Sequence, residues 1–366
     1  MKRKLKIGII FGGRSGEHEV SVVSATSVIN ALDKNKFEAV PLYINKKGQW
    51  LLGVSPQLIN RKAKRIVFLP PDPTAKGLVT KENTWAVSTK IDVFFPVLHG
   101  TFGEDGTVQG LLELSGIPYV GAGVAASSVG MDKDLMKKIF ISVGLPVLEH
   151  LVFLRKEVKK EALKVINQIE KRLNYPIFIK PANLGSSVGI SKAHNKAELK
   201  KGLFTALEYD RKMVVEQGID RAREIEVAVL GNDDPKASIC GEVVPSREFY
   251  DYEDKYILGK AKLIIPALIS KHQSQEIRKT ALQAFKALDC SGMARVDFFI
   301  DRKKNKVFIV EVNTIPGFTS ISMYPKLWEA SGVGYSELIT RLINLALDRY
   351  NDKRLNKTSF PSKLLK

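Results

Sequence analysis

Residues 295–313, which read RVDFFIDRKKNKVFIVEVN, carry the pattern on which the fold assignment depends. Two stretches with alternating apolar residues flank a polar turn of hairpin length. Because side chains two apart on a strand share a face, Arg295 and Asp297 point one way, and the same parity puts Glu311 and Asn313 together. If the strands pair, this face presents oxygen ligands that suit Mg²⁺, although a surface salt-bridge ladder would give the same pattern.

Two turns rich in small residues could approach an anion. The first, KPANLGSSVG at 180–189, follows an apolar strand and combines a lysine with glycines and serines. It lacks the spacing of a Walker A loop, and an ordinary hairpin turn is equally open. The second, TIPGFTS at 314–320, comes directly after the hairpin. A further stretch, FYDYEDKY at 249–256, lacks core periodicity and indicates a surface or lid loop.

The first third of the chain alternates strands and helices. A strand at 6–11 precedes a helix with apolar spacing at 20–32, and a nearly all-apolar strand follows at 91–98. Such a strand fits a parallel sheet that is covered on both faces. Because ligands bind at the carboxyl ends of parallel strands, the loops at 12–21 and 99–106 are candidates for a binding site.

The remaining sequence predicts two α+β units. Asp132 is the predicted N-cap of a helix whose apolar stripe comprises Leu135, Ile139, Phe140 and Val143. We expect three domains with the following bounds: an N-terminal α/β substrate domain at 1–131, a central domain at 132–214, and a C-terminal domain with the metal site and lid loop at 215–366.

Composition narrows the class of protein. The 366 residues include 57 Lys and Arg against 39 Asp and Glu, a formal charge of +18 that favours anionic partners in general. The basic residues are scattered without interleaved aromatic residues, which makes nucleic-acid binding the weaker hypothesis. Two cysteines favour a reducing compartment, and no apolar run reaches about 18 residues. We expect a cytoplasmic protein that binds neither nucleic acid nor membrane.

Taken in order, these stretches resemble the D-alanine–D-alanine ligase family of the ATP-grasp superfamily, from about residue 6 to residue 347. The strings that carry the resemblance are FGGRSGEHEVS (11–21), LHGTFGEDGTVQG (98–110), GVAASSVGMDKDLMK (123–137), IKPANLGSSVGIS (179–191), EFYDYEDKY (248–256), RVDFF (295–299) and EVNTIPGFTSISMYP (311–325). The resemblance implies an ATP-grasp fold, in which a parallel α/β domain precedes central and C-terminal domains that clamp ATP.

The resemblance also implies a nucleotide site. The implied ATP-binding residues are Lys133 and Lys180 at the phosphates, Glu216 at the adenine amine, Gln217 and Ile219 in the hinge, Glu224 at the ribose, and Ser186, Ser187, Lys255 and Tyr256 closing over the γ-phosphate. Two Mg²⁺ ions, with Mn²⁺ as a possible substitute, are implied at Asp297, Glu311 and Asn313.

The implied amino-acid site pairs each substrate charge with its opposite. The residues are Glu17 for the ammonium of the first D-alanine, His99 near its carboxylate, Arg295 and the Gly317 N–H for the oxyanion, and Ser322 and Met323 for the carboxylate of the second D-alanine. For the proton of the attacking amine, a network of Glu17, Ser186 and Tyr256 and the departing phosphate both stay open.

The implied reaction is ATP-dependent ligation of two D-alanine molecules through an acyl-phosphate, for peptidoglycan precursor synthesis, by a homodimer. A depsipeptide ligase that joins D-alanine to D-lactate is an alternative within the same fold. A basic nucleic-acid-binding protein with an inactive nucleotide fold is an alternative from another class.

Overall fold

The computed structural model describes residues 3–59, 65–80, 87–245 and 261–359. Within these ranges the chain forms three β-sheets that follow one another in sequence and pack against helices. None of the helices described is both long and apolar enough to cross a bilayer. The two cysteines, Cys240 and Cys290, are buried free thiols.

The first sheet comprises β1 (Leu5–Gly12), β2 (Phe37–Ile44), β3 (Trp50–Leu52), β4 (Arg65–Phe68), β5 (Gly77–Thr80), β6 (Val87–Lys90) and β7 (Val93–Pro96), and α1 (His18–Ala31) follows β1. The predicted strand at 6–11 and helix at 20–32 are confirmed as β1 and α1. Because β1 runs parallel to β7, the loops that follow these two strands lie side by side.

Only β2, β1 and β7 form the parallel part of this sheet. The strands from β3 to β6 continue it in antiparallel fashion in the order β6-β5-β4-β3-β2-β1-β7. The sequence analysis did not predict these strands. The short connection at 45–49 permits a hairpin between β2 and β3 but not the long crossover that a parallel pair requires.

The central sheet comprises β8 (His150–Leu154), β9 (Ile177–Pro181), β10 (Ser191–Ala193) and β11 (Lys212–Gln217) in the order β10-β9-β11-β8, with all pairs antiparallel. Helices α5 (Arg155–Arg172) and α6 (Lys196–Tyr209) pack against it. Three further helices, α2 (Thr107–Ser115), α3 (Val124–Met131) and α4 (Lys133–Ser142), connect the first sheet to the central one.

The third sheet comprises β12 (Arg223–Gly231), β13 (Lys236–Val244), β14 (Lys262–Ile264), β15 (Gly292–Asp301) and β16 (Lys306–Asn313) in the order β14-β13-β12-β15-β16. Helices α7 (Lys271–Ala287), α8 (Met323–Ala330) and α9 (Tyr335–Lys353) accompany it. The predicted hairpin is confirmed, since β15 and β16 pair antiparallel and oppose Asp297 to Glu311 and Arg295 to Asn313.

Helix α4 begins as predicted, and its buried face overlaps the predicted stripe only in part. The Asp132 carboxylate accepts hydrogen bonds from the backbone N–H groups of residues 134 and 135, which confirms it as the N-cap. The predicted apolar stripe is wrong for Leu135 and Val143, which are 44% and 51% exposed. The stripe is confirmed for Phe140, which lies in the core of the third sheet, and for Ile139, which packs against that core. Met136, which was not predicted, joins Phe140 there. Two lysines of α4, Lys133 and Lys137, are buried as well and have carboxylate partners that are described below.

Candidate active site

A cavity of about 610 Å³ lies between the central and third sheets, a size typical of small-molecule sites. Its walls combine cationic, anionic and apolar side chains. Among the residues proposed from the sequence, those that line it are Lys133, Lys180, Ser187, Ile219, Glu224, Arg295, Asp297 and Glu311. The structure thus brings together side chains from α4, β9, the loop after β9, the segment between β11 and β12, and the strands β12, β15 and β16.

The oxygen ligands predicted from the hairpin lie together at this cavity. Asp297 and Glu311 are direct cross-strand partners, and the Asn313 Nδ2 donates to Asp297 Oδ2 at 3.0 Å. Among the described residues, no group of three or more His, Cys, Asp and Glu side chains is arranged as a complete metal site. Two carboxylates and an amide are oxygen donors of the kind that suits Mg²⁺.

Arg295 holds this acidic cluster in place. Its guanidinium donates to both carboxylate oxygens of Asp297 at 2.7 Å and lies 3.0 Å from Glu226 Oε2. Burial disfavours the charged guanidinium, but the carboxylates of Asp297 and Glu226 outweigh burial and raise the pKa of Arg295. Arg295 is therefore a fixed cation beside the predicted metal ligands.

Behind the cavity wall lies a buried ion triad, which we define as Lys137, Glu216 and Lys180. Lys137 Nζ donates to Glu216 Oε1 at 2.5 Å, and Lys180 Nζ donates to Glu216 Oε2 at 2.5 Å. Burial raises the pKa of Glu216, but the two lysines outweigh it and lower the pKa to about 2. The carboxylate that was assigned to adenine is thus engaged by two cations, and only the Lys180 member of the triad lines the cavity.

The residues proposed for the hinge and the ribose, from Gln217 to Glu224, have different surroundings. Ile219 and Glu224 line the cavity. The side chain of Gln217 instead binds the backbone at Asn174, accepting from its N–H at 2.9 Å and donating to its carbonyl at 2.8 Å. Gln217 therefore ties the end of β11 to the turn that precedes β9.

A second lysine of α4 reaches the glycine- and serine-rich loop. Lys133 Nζ donates to the Leu184 carbonyl at 2.6 Å and lies 3.9 Å from Glu311 Oε2. Burial lowers the pKa of Lys133, Glu311 opposes that effect, and Lys180 reinforces it. Lys133 thus connects the loop after β9 with the acidic cluster on β16.

The loop after β9 also contacts the loop that joins β1 to α1. Ser186 Oγ donates a hydrogen bond to the carboxylate of Glu17, which is 8% exposed and precedes α1. Ser186 and Ser187 both have left-handed backbone conformations, with φ of 50° and 59°. A residue proposed to bind an ammonium and one proposed to close over ATP are therefore in direct contact.

His99 links the first sheet to the loop after β16. Its Nδ1 donates to the Ile315 carbonyl at 3.1 Å, so its Nε2 accepts from Ser24 Oγ at 3.2 Å. Burial lowers the pKa of His99, and the neutral ring suits both contacts. Nearby, the Glu104 carboxylate accepts from the Gly100 N–H at 2.8 Å. Burial and the charge of Glu17 raise the pKa of Glu104.

The residues proposed for the second amino acid surround the start of α8. Ser322 is the N-cap, and its Oγ accepts from the Thr319 N–H at 3.1 Å. The Met323 side chain is 6% exposed and packs into the core, so the backbone N–H of this residue is the group suited to a carboxylate. A Cβ on Gly317 would lie 3.1 Å from Ser322 Oγ, which leaves little room there for a side chain.

Two functional candidates, Lys137 and Glu104, were not predicted from the sequence. The signal for Lys137 was present, because Lys133, Met136, Lys137 and Phe140 have the i, i+3, i+4, i+7 spacing of a buried helix face. It was overlooked because the stripe on α4 was assigned from apolar residues alone. The two lid residues proposed from the sequence, Lys255 and Tyr256, lie outside the described residues.

Comparison with known proteins gives a consistent result. Residues 6–122 match the family "D-ala D-ala ligase N-terminus" and residues 139–344 match "D-ala D-ala ligase C-terminus". The D-alanine–D-alanine ligase of Natranaerobius thermophilus is 51% identical over 363 residues, covering 98% of this chain and 99% of that protein. The enzyme of the same name from Heliobacterium modesticaldum is 51% identical over 360 residues, covering 97% and 98%.

Solved structures with the same architecture include the D-alanine–D-alanine ligase of Coxiella burnetii, with a TM-score of 0.82, 37% identity and 96% coverage of both chains. The VanG D-Ala:D-Ser ligase of Enterococcus faecalis aligns with a TM-score of 0.84 and 38% identity, covering 94% of this chain and all of that one.

Proposed function

The chain belongs to the D-alanine–D-alanine ligase family, and on that premise we propose that it joins two D-alanine molecules while converting ATP to ADP and phosphate. The product, D-alanyl-D-alanine, serves peptidoglycan precursor synthesis. The fold is the ATP-grasp fold of the structural relatives. One observation supports the activity above all, namely that one cavity joins buried lysines of α4 and β9 to the acidic face of β15 and β16.

For ATP, we propose that Lys133 and Lys180 bind the phosphates from one wall of the cavity. Ile219 and Glu224, on the segment after β11, would hold the adenosine, with Glu224 at the ribose hydroxyls. Glu216 would help to define the adenine subsite from behind, since its carboxylate is engaged by Lys137 and Lys180. Ser187 lines the same cavity and would donate to the γ-phosphate.

Asp297, Glu311 and Asn313 would hold Mg²⁺, or Mn²⁺ in its place. Such ions would neutralise charge that develops on the phosphates during phosphoryl transfer. Arg295 contributes a permanent cation beside them, because its guanidinium is fixed by Asp297 and Glu226.

The amino-acid subsites are proposed on the side of the first sheet. Glu17 would bind the ammonium of the first D-alanine, whose carboxylate attacks the γ-phosphorus and displaces ADP. The resulting acyl-phosphate is attacked by the free amine of the second D-alanine. The carboxylate of the second D-alanine would be held by Ser322 and the Met323 N–H at the start of α8. Arg295 and the Gly317 N–H would stabilise the tetrahedral oxyanion, which collapses to dipeptide and phosphate.

The Glu17–Ser186 hydrogen bond supports a role for both residues in ordering the closed site. Neutral His99, held by Ile315 and Ser24, would orient the loop after β7 near the first carboxylate. Tyr256 and Lys255 remain predictions of the family resemblance, as do the three-domain division, the homodimer and the cytoplasmic location.

The experiment is phosphate release from MgATP with D-alanine, together with mass-spectrometric detection of the dipeptide. We expect release with D-alanine and none above background with L-alanine. Competition with D-serine and D-lactate tests the second site, and dipeptide should dominate at neutral pH. Equal or greater incorporation of D-lactate would overturn the assignment of the nucleophile.

Substitution tests the acidic cluster. Asp297→Asn and Glu311→Gln should each lower turnover about a hundredfold or more, because they remove charge where phosphoryl transfer needs it. Asp301→Asn is the matched control, since Asp301 lies on the same hairpin and accepts hydrogen bonds from the backbone of its own turn. Full turnover in both cluster variants would contradict the proposal. Tight DNA retention without D-alanine-dependent phosphate release would favour the nucleic-acid alternative.

A further inference from the structure

Lys137 is a buried cation for which the proposed reaction has no use. It lies in the second turn of α4, its side chain is 1% exposed, and its ammonium bonds Glu216 Oε1 at 2.5 Å. A buried lysine is costly unless it is paired, so its presence calls for an explanation. A single carboxylate with a single lysine would already be balanced, and Lys180 is that other lysine.

The charge of the triad depends on Lys137. Two ammonium groups share one carboxylate, which leaves a net charge of +1 in a region where all three side chains are less than a tenth exposed. Without Lys137, Lys180 and Glu216 would form a neutral pair. Lys180 is the member of the triad that lines the cavity, so the surplus charge is available there.

The position of Lys137 on α4 also allows it to fix this helix to the central sheet. Lys133 and Lys137 are one turn apart on the buried face, and Lys133 reaches into the cavity to bond the Leu184 carbonyl at 2.6 Å. The bond from Lys137 to β11 therefore anchors the helix that carries one phosphate ligand to the sheet that carries the other. Lys137 itself does not line the cavity.

We propose that Lys137 is a positioning residue for nucleotide binding, which occupies one oxygen of Glu216 and neutralises it so that Lys180 retains positive charge for the phosphates of ATP. The inference rests on the proposed function, because it requires that a nucleotide occupies the cavity. A positioning role for Lys137 can be distinguished from a purely structural one by which ligand loses affinity. Removing the charge of Lys137 must weaken the binding of ADP much more than that of adenosine, because only ADP carries phosphates.

The test measures the dissociation constants of ADP and adenosine in the presence of Mg²⁺, by calorimetry and by competition, for the full chain. Lys137→Met removes both the charge and the hydrogen bond. Lys137→Gln removes the charge but keeps a donor for Glu216 Oε1. Lys138→Met is the matched control, because Lys138 is the next residue on α4, with a side chain that is 63% exposed and pairs with Asp134.

We expect both Lys137 variants to bind ADP about tenfold more weakly, the effect of one unit charge at partly screened range. Adenosine affinity and the KM for D-alanine should stay within about twofold of the wild type, and Lys138→Met should match the wild type throughout. Such a selective loss of ADP affinity would support the proposal.

Other outcomes overturn it. If Lys137→Gln binds ADP like the wild type, the hydrogen bond rather than the charge is what matters. If ADP and adenosine weaken equally, or if neither variant folds, Lys137 is structural only. A wild-type protein that binds neither ADP nor adenosine would instead contradict the proposed function, so the two failures are distinguishable.

Discussion

Helices α4 and α5 are both rich in lysine, yet they place these side chains in opposite environments. On α4, Lys137 is 1% exposed and bonds Glu216 of the central sheet at 2.5 Å. On α5, Lys164 is 67% exposed and pairs with Glu161 of its own helix at 2.9 Å. The comparison shows that the partner decides the environment. A carboxylate supplied by a distant strand draws a lysine into the interior, whereas a neighbour one helical turn away leaves it in solvent.

Exposed and buried ion pairs also differ in how much they contribute to stability. Exposed pairs within a helix are worth little, because water and salt screen them. A buried pair is a fixed electrostatic element whose loss leaves an uncompensated charge. On α4, Lys133 lines the cavity proposed for the nucleotide and Lys137 belongs to the ion triad behind it. Lys164 of α5 belongs to the solvated face of the central domain.

Removal of the shared carboxylate should have the largest effect. Glu216→Gln leaves Lys137 and Lys180 buried without a counter-charge, so we expect the free energy of unfolding to fall by about 3–5 kcal/mol. Urea denaturation measures it. The matched change on α5, Glu161→Gln, should leave the unfolding curve unchanged within error. Equal curves for all three proteins would show that the triad is not the electrostatic element described here.

The contribution of Glu216 to the free energy of unfolding should also depend on pH. The pKa of Glu216 in the folded state is about 2, against 4.5 for the unperturbed group. Its contribution is therefore fully present above about pH 4.5 and is lost as the pH falls through 2. The difference in unfolding free energy between wild type and Glu216→Gln should be constant at neutral pH and shrink in acid. A difference that grows with acidity would contradict the assigned direction of the shift.

A smaller effect is expected from the side chains that hydrogen-bond the backbone at the start of each helix. Asp132 caps α4 and also pairs with Lys212 at 2.6 Å, so Asp132→Ala should lower the free energy of unfolding by about 1–2 kcal/mol. At the start of α5, Glu157 accepts a hydrogen bond from the Leu154 N–H. Glu157→Ala should cost less than half as much by thermal unfolding. A larger loss of stability in Glu157→Ala than in Asp132→Ala would contradict the view that α4 is held more strongly than α5.

The smallest effect is expected on α5 itself. Lys164→Met removes an exposed charge, so its melting temperature should match that of the wild type within error. Its dissociation constant for ADP should also be unchanged, in contrast to Lys137→Met. A weakened affinity for ADP in Lys164→Met would mean that surface charge, rather than the buried triad, supports nucleotide binding.

Local rules predicted the parts of the site that lie on one element or one hairpin. Strand parity gave the face shared by Asp297 and Glu311, and capping chemistry gave Asp132 as the start of α4. Both depend on neighbours that are near in sequence. The hydrogen bond between Ser186 and Glu17 joins residues 169 apart, and only the resemblance to a family suggested that they share a site.

The failures have physical reasons as well. The stripe on α4 was assigned from apolar residues alone, and it missed that Lys137 could be buried by a carboxylate on β11. The antiparallel strands from β3 to β6 are short and only partly apolar, so their pattern is weak without the sheet edge they extend. In both cases a tertiary partner overrides the local preference.

The most direct test of the account follows the oxygen atoms of the substrate. D-alanine labelled with ¹⁸O at both carboxylate oxygens is incubated with MgATP, and the released phosphate and the dipeptide are analysed by mass spectrometry. If the carboxylate attacks the γ-phosphorus and phosphate later leaves from the carbonyl, each phosphate carries one ¹⁸O and the new peptide carbonyl retains the other. Unlabelled phosphate formed together with dipeptide would contradict activation through an acyl-phosphate.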